Sequence, residues 1–367
     1  NLHLNQEDIN FTLEITKFTE LFSDNNNADA VIKLFITQAD YQSISSAPLE
    51  FEYKTGFFKG KSKIHVGEIV HRSLKSIELD DVLHIISNLN FFYHQNYNTT
   101  NYYDPALINI YVEIIEPIQN SVISTDSFGF FKFIAGRRPK FKSNLAFLKY
   151  DNYVQRVTSS SSIIFNCLSS GNQTIYLYKN TDQISSVNFS SSKAHIYAML
   201  VEFKSFKPGD RLIISSNSDL FNSPNTYDLT EEYIVMPECE HQNTILFEDE
   251  YKTLRVFDFT GEWRFTSNYE RFTSSRYKNL TKAETLNDTL KEQSLTIHTG
   301  YIPADNQIIV DQIKRAKKAW LLADDNQSVV ELVPNNEEHL NYDSDNDLYD
   351  YELKFIINKK HDLQNYS

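Results

Sequence analysis

The chain has 367 residues, of which 41% are hydrophobic and 14% aromatic, and its formal net charge at pH 7 is −14. This apolar content can support packed cores in two or three domains and argues against disorder over most of the length. The acidic charge argues against a nucleic-acid partner, which needs Lys and Arg to neutralise phosphates. No apolar run approaches the ~20 residues that a helix needs to cross a bilayer, so membrane insertion is not expected.

The aromatic residues predict a mainly β fold. There are 26 Phe and 22 Tyr, and both favour strands because they suit a pleated, half-buried surface. Gly and Pro number only 9 each, so the turns must be built mainly from Asn, Asp and Ser. Those residues cluster between the apolar runs, as expected for many short strands joined by polar turns.

The first two thirds of the chain share one pattern. Residues 1–120 contain the strand-like runs INFTLEITKF, DAVIKLFITQ, KSKIHVGEIV and INIYVEIIE, and residues 121–240 contain SSIIFNCL and AHIYAMLVEF. Ile108, Ile110 and Val112 recur at every second position, the period of a half-buried strand. Short strands at spacings of about 8–12 residues are typical of β-sandwiches. We therefore predict one β-sandwich-like module in each of these two ranges.

The last third, residues 241–367, is predicted to be a β-rich module carrying one helix. A polar stretch follows the run TLRVFDFTG, and the helix is predicted in ADNQIIVDQIKRAKKAWLL. Spacings of four, three and four line up one apolar helical face, made of Ile309, Ile313, Ala316 and Trp320. The final run LYDYELKFII alternates apolar and charged residues and predicts the closing strand.

Three alternating aspartates before the closing strand are candidate calcium ligands: Asp343, Asp345 and Asp347. Alternating carboxylates match the opening of a calcium loop. The sixth position of such a loop would be Leu348 instead of Gly, and the twelfth Lys354 instead of a bidentate Glu. A polar turn is the stronger interpretation, and calcium binding is the alternative. No cofactor is predicted.

Catalytic motifs are sparse. The sequence contains no Gly-x-Ser-x-Gly elbow, no phosphate-cradling Gly loop and no His-Glu-x-x-His pair. His195 and His298 lie in alternating runs and are interpreted as ordinary strand histidines. The cluster ECEH, residues 238–241, lacks the second Cys/His cluster that a tetrahedral zinc site needs. Any two acids at the right separation can serve a glycosidase, so a carbohydrate-active function stays open.

Aromatic residues in polar surroundings are candidate interaction residues. They lie in the stretches FFYHQNYNTTNYYD and TGEWRF. Flat amphipathic rings suit both glycan stacking and protein binding, while a Tyr-rich loop packed on its own domain is the alternative. The candidates are Tyr93, Tyr97, Tyr102, Tyr103 and Trp263.

Three segments together resemble virion and tail-associated structural proteins of tailed phages and prophages. The first is GKSKIHVGEIVHRSL after FEYKTG, and the second is KSNLAFLKYDNYVQRVTSSSSIIFNCL, in which FLKY stands where a more tryptophan-rich run is expected. The third is the order TILFEDEYKTLRVFDFTG, LTIHTGYIPADNQIIVDQIKRAKKAWLLADDNQSVVELVP and LYDYELKF. The resemblance covers most of the chain. It implies a non-enzymatic building block of an oligomeric tail or tail-tip assembly, with no catalytic residues to carry over.

The leading hypothesis is therefore a structural protein of a phage particle or tail-like assembly, located in the virion. Its partners would be copies of itself, other particle proteins, and a host-surface protein or glycan, with exposed strand edges and Tyr-rich loops making the contacts. One alternative is a secreted carbohydrate-binding or carbohydrate-active β-sandwich protein. Another is a calcium-stabilised adhesin at the cell surface.

Overall fold

A computed structural model describes twelve ranges of the chain. Within them the chain is mainly β, and one α-helix lies in its last third, which confirms the predicted fold class. None of the described helices is long and apolar enough to span a membrane. The described ranges are 9–15, 19–23, 28–37, 49–88, 99–103, 105–116, 118–149, 153–240, 242–278, 281–322, 329–335 and 348–357.

The first third forms a five-stranded sheet of order β1-β8-β7-β3-β4 with a helix on it. Strands β2 and β5 pair separately, and β6 pairs with a later strand. Its elements are β1 (Ile9–Phe11), β2 (Thr19–Phe22), β3 (Asp29–Thr37), β4 (Leu49–Gly56), β5 (Lys61–Ile64), α1 (Val66–Ser73), α2 (Leu79–Asn88), β6 (Thr99–Tyr103), β7 (Ala106–Glu116) and β8 (Ser121–Ile134).

Two helices in this third were not predicted from the sequence. The run KSKIHVGEIV was interpreted as a strand, but its strand ends at Ile64 and α1 begins at Val66. Val66, Ile69 and Val70 recur at helical spacing and are buried against the first sheet. The interpretation of the whole run as one strand was wrong, because the run holds the four residues of β5 and the start of α1, too few of each to show its period.

The middle third forms an eight-stranded sheet built on the long hairpin of β12 and β13. Its path is β11-β15-β14-β12-β10-β9, and β13 joins β12 to β6 of the first third. Its elements are β9 (Phe141–Lys142), β10 (Leu145–Phe147), β11 (Val154–Thr158), β12 (Ser162–Lys179), β13 (Asp182–Glu202), β14 (Arg211–Ser215) and β15 (Thr230–Met236).

The last third forms a seven-stranded sheet of order β17-β16-β21-β22-β24-β19-β18, and α3 packs against its core. Strands β20 and β23 pair separately. Its elements are β16 (Asn243–Glu248), β17 (Leu254–Phe259), β18 (Trp263–Lys278), β19 (Thr281–His298), β20 (Ile302–Pro303), α3 (Gln307–Arg315), β21 (Ala319–Leu322), β22 (Val329–Pro334), β23 (Leu348–Tyr349) and β24 (Glu352–Ile357).

The predicted helix is shorter than its sequence pattern. It ends at Arg315, Ala316 is extended with ψ 137°, and Trp320 lies in β21 instead of on the helical face. Trp320 pairs with Leu246 of β16. Placing Trp320 on the helical face was therefore wrong, because pairing with the neighbouring strand overrides the helical spacing. The alternation predicted for the closing strand is confirmed, since Leu353, Phe355 and Ile357 are buried.

The three large sheets pack on one another in the described structure. Helix α2 contributes Val82 and Ile86 to a core shared with Leu200 of β13 and Leu246 of β16. The boundary predicted at residue 120 falls between β7 and β8, which pair in one sheet. The boundary at residue 240 falls between β15 and β16, which belong to different sheets. The division into three domains stays a prediction.

Candidate functional site

The hairpin of β18 and β19, here called the arm, extends well beyond its own sheet. Strand β24 pairs with β19 only from Ser294 to His298. The pairing of β18 with β19 continues from Ser267 opposite Gln293 to Lys278 opposite Thr281. Twelve residues of β18 and thirteen of β19 correspond to a ribbon of about 40 Å. Among the described residues this ribbon pairs with no third strand, and β18 is the edge of the sheet.

The arm differs in charge from the rest of the chain. It holds six basic and four acidic residues, a net charge of +2 in a chain of −14. The remainder of the chain therefore carries −16. The basic residues are Arg264, Arg271, Arg276, Lys278, Lys282 and Lys291, and the acidic ones are Glu270, Glu284, Asp288 and Glu292.

Trp263 and Phe265 form an aromatic pair at the base of the arm. They are 44% and 40% exposed, and their ring centroids lie 5.2 Å apart in an edge-to-face arrangement. Trp263 pairs with Ile297 and Phe265 with Leu295, both of which are buried in the C-terminal core. Directly opposed residues share one face of a sheet. The two rings therefore continue the core face to the edge of the sheet, where solvent reaches them.

Two Thr-Gly pairs fix the base of the arm. Thr260 and Gly261 precede β18, and Thr299 and Gly300 follow β19. Gly300 has φ +68°, and a Cβ there would lie 2.4 Å from Thr260 Oγ1. A Cβ on Gly261 would lie 2.6 Å from the Cβ of His298. The two backbones approach so closely that only glycine fits at both positions.

A cleft of about 650 Å³ lies beside this base, where the middle sheet meets the C-terminal sheet. His298 Nδ1 lies 3.0 Å from Asp350 Oδ2, and the Gly300 N–H donates to Asp350 Oδ1 at 2.9 Å. Arg156 donates to the Tyr301 carbonyl at 2.6 Å and the Thr299 carbonyl at 2.7 Å. Burial lowers the pKa of Arg156, whereas Cys239, Asp258 and Asp350 raise it.

The polar groups of the cleft are engaged in holding the chain. Arg156 donates to backbone carbonyls of residues 299 and 301, and Asp350 contacts His298 and accepts from the Gly300 N–H, so the two side chains fix the end of β19. Cys239 lines the same cleft and is exposed. Tyr301 is 71% exposed and stands at the cleft with its ring available to a ligand.

The predicted interaction residues do not form one cluster among the described residues. Trp263 lies at the arm base as described above, and its role stays a prediction. Tyr102 and Tyr103 belong to β6, whose backbone pairs with β13. Tyr93 and Tyr97 lie outside the described residues.

The candidate calcium ligands Asp343, Asp345 and Asp347 also lie outside the described residues, so calcium binding stays a prediction. In the part of the chain that the structure describes, no three His, Cys, Asp or Glu side chains are grouped so as to hold a metal ion. Of the ECEH cluster, Glu238 accepts a hydrogen bond from Ser159, and His241 is outside the described residues.

Sequence reasoning missed the arm, which it interpreted as a polar stretch. Its residues are polar at most positions, so the alternation of apolar and polar residues that marks a half-buried strand is weak. A signal was nevertheless present. Thr, Tyr and Phe recur in TSNYERFTSSRYK, and such residues favour strands.

Comparison with protein-family models and with curated proteins finds no match for this chain.

Proposed function

We propose that this protein is a non-enzymatic structural component of an oligomeric assembly, in which the arm of one copy packs against the next copy. The observation that carries the proposal is the two-stranded ribbon of about 40 Å that extends from the sheet. The Trp263 and Phe265 pair at its base extends the same contact surface.

Stability is the first argument for a partner. An isolated two-stranded hairpin is marginally stable at best in water, and three or more strands or a packed face are needed. Among the described strands, none pairs with the arm as a third strand beyond Ser294. Its edges also expose unpaired backbone N–H and C=O groups, which pair readily with another strand. A neighbouring molecule would supply the third strand or the packed face that stabilises the arm.

Charge favours a second copy as that neighbour. The arm carries +2 and the remainder of the chain −16. An arm laid on the body of the next copy therefore brings opposite charges together, and such complementarity fixes the register of an interface. The contact joins two different surfaces, so repetition gives a ring or a longer array.

The resemblance of the sequence to tail-associated proteins supports our proposal for the kind of assembly. We place the protein in a phage particle or tail-like structure, as a tail or baseplate-type component that contacts its own copies, other particle proteins or the host surface. A ring of copies with interlocked arms is a suitable form for such a component.

The test is the mass in solution, measured by light scattering after size exclusion. We expect a discrete oligomer for the wild type and a monomer when residues 269–291 are replaced by an Asn-Gly turn, which suits a two-residue hairpin. A second variant, R271E/R276E, keeps the length of the arm and is expected to weaken the oligomer through its charge. A monomeric wild type, or an oligomer that survives loss of the arm, would overturn the proposal.

The cleft supports a second candidate function, glycan binding. Tyr301 is exposed beside the carboxylates of Glu262 and Asp350, and exposed rings near hydrogen-bonding groups suit sugars. In this case the protein would be extracellular or at a cell surface. Retention by an insoluble polysaccharide that is lost in Tyr301→Ala but kept in Tyr227→Ala would support it, because Tyr227 is equally exposed in a distant loop.

A further inference from the structure

A small cavity of about 290 Å³ lies where the linker between α1 and α2 meets the C-terminal sheet. Ser76, Ile77 and Glu78 of the linker form one side, and Glu248 and Trp320 of the sheet lie on the other. The volume is at the lower end of the roughly 300–1,000 Å³ of drug-sized ligand sites. A ligand that fits this cavity is therefore small.

Two ammonium groups converge on one hydroxyl at this cavity. Lys252 Nζ donates to Ser76 Oγ at 2.9 Å, and Lys317 Nζ donates to the same oxygen at 3.4 Å. Lys317, Arg72 and Lys318 line the cavity, whereas Lys252 contacts it through Ser76. Like charges held this close repel one another unless an anion lies between them.

The carboxylates nearby do not neutralise all of these cations. Glu248 lies 3.7 Å from Lys252 and accepts the Ile77 N–H at 2.5 Å. Lys318 pairs with Glu78 and Glu331, and Arg72 pairs with Glu68. In the described part of the chain, no carboxylate pairs with Lys317. The side chains that line the cavity include three cations and two carboxylates, so the lining carries one positive charge in excess.

The wall of the cavity also contains a buried donor without an acceptor. Trp320 is 0% exposed, and its Nε1 has no hydrogen-bond partner among the described residues. A buried indole N–H is a donor only, and leaving it unsatisfied is unfavourable. Buried polar groups usually have partners, so an orphaned donor beside a positive cavity points to an acceptor held there.

We propose that this cavity binds a small tetrahedral oxyanion of the size of inorganic phosphate. Its oxygen atoms would accept from Lys317 and the Trp320 indole, and the Ser76 hydroxyl, which accepts from Lys252, would direct its own proton to the same anion. Lysine is a common phosphate ligand and acts as a point charge. Because the linker belongs to the first third and the other ligands to the last, a bound anion joins the two parts of the chain.

The test is isothermal titration of the full chain with sodium phosphate at pH 7 and constant ionic strength. We expect one saturable site, with at least tenfold weaker binding in Lys317→Gln. Lys207→Gln is the matched control, because Lys207 is an exposed lysine away from the cavity, and its affinity should equal that of the wild type. If Lys317→Gln fails to fold, Ser76→Ala replaces it with the same expected loss.

Fluorescence gives an independent readout, because the chain has only two tryptophans. In Trp263→Phe the remaining Trp320 should change its emission with the same midpoint as the titration. Sulfate should bind with similar affinity, whereas acetate should bind at least tenfold more weakly. The proposal is wrong if phosphate gives no saturable signal, if Lys317→Gln binds as tightly as Lys207→Gln, or if acetate binds as well as phosphate.

Discussion

Arg255 Nε donates to Asp249 Oδ2 at 2.9 Å, and the two side chains are only 7% and 1% exposed. The same guanidinium lies 3.4 Å from Glu231 and also donates to the Leu148 carbonyl. Glu231 belongs to β15 and Arg255 to β17. The buried network therefore joins the middle sheet to the C-terminal sheet. Although burial disfavours its charge, the pKa of Arg255 is raised because Glu231 and its other neighbours favour the charged form.

Replacing Arg255 by Met should lower the free energy of unfolding by about 3–5 kcal/mol, because two buried carboxylates lose their cation. Arg211→Met is the matched control. Arg211 lies 2.8 Å from Glu232, but its side chain is 55% exposed, so its loss should cost about 0–1 kcal/mol. Urea denaturation measures both values. If the free energy of unfolding fell equally in the two variants, burial of the network would not determine how much it contributes to stability.

Gly67 allows α1 to pack against the turn that follows β1. A Cβ at this position would lie 2.3 Å from the Thr12 carbonyl oxygen and 2.8 Å from the Ile15 Cβ. Gly67→Ala should therefore destabilise the protein by about 1–3 kcal/mol in spite of the better helix propensity of Ala.

Gly56→Ala is the matched control for this effect. The nearest atom to a Cβ there is Asp29 Oδ1 at 3.6 Å, an ordinary contact. Its melting temperature should stay close to that of the wild type, while that of Gly67→Ala falls. If both variants melt at the wild-type temperature, the helix and the turn can separate without cost.

His71 should make stability depend on pH. Burial, and then Lys252 and Lys317, lower its pKa from 6.5 to about 4. In the unfolded chain the imidazole takes up a proton near pH 6.5, whereas in the folded chain it does so only near pH 4. This contribution to stability is therefore complete above pH 6.5 and is lost as the pH falls toward about 4.

The measurement compares wild type and His71→Gln by urea denaturation at pH 7 and pH 5. The free energy of unfolding should fall more in the wild type than in the variant, which cannot take up the proton. His71 Nδ1 lies 2.9 Å from Thr12 Oγ1, so the variant is expected to be less stable at both values. Equal changes with pH would exclude His71 as the titrating group.

The two cysteines should differ in reactivity. Cys239 is exposed and Cys167 is buried, and burial, together with Glu231, raises the pKa of Cys167. Because the thiolate is the reactive form, a thiol reagent should modify one cysteine in the native protein and both in denaturant. Cys239→Ser should leave none reactive under native conditions. Two reactive thiols in the native wild type would contradict the buried position of Cys167.

A substitution at Trp263 tests the contribution of the exposed aromatic pair to the oligomer without shortening the arm. Trp263→Lys places a charge in the aromatic pair with Phe265, and a lysine on an exposed edge opposes strand pairing. We expect the dissociation constant of the oligomer to rise at least tenfold in analytical ultracentrifugation. Tyr227→Lys, at a ring of 76% exposure outside the arm, should leave the constant unchanged.

The mainly β class was predictable because it follows from local properties. Alternating apolar residues, such as those of β24, give a strand a buried face whatever its neighbours are. The many Phe and Tyr residues in the apolar runs contribute to the buried cores. The helix of the last third was also predictable, since Ile309 and Ile313 are buried at helical spacing.

Only the tertiary structure decided where these elements meet. It placed Trp320 in a strand, where it lines a cavity with Ser76 and Lys317. It also extended the polar stretch after Phe259 into an arm. Spacing along a sequence reports the periodicity of one element. Contacts between residues more than two hundred positions apart, such as Ser76 and Lys317, depend on sheet order and on packing between sheets, which no local pattern contains.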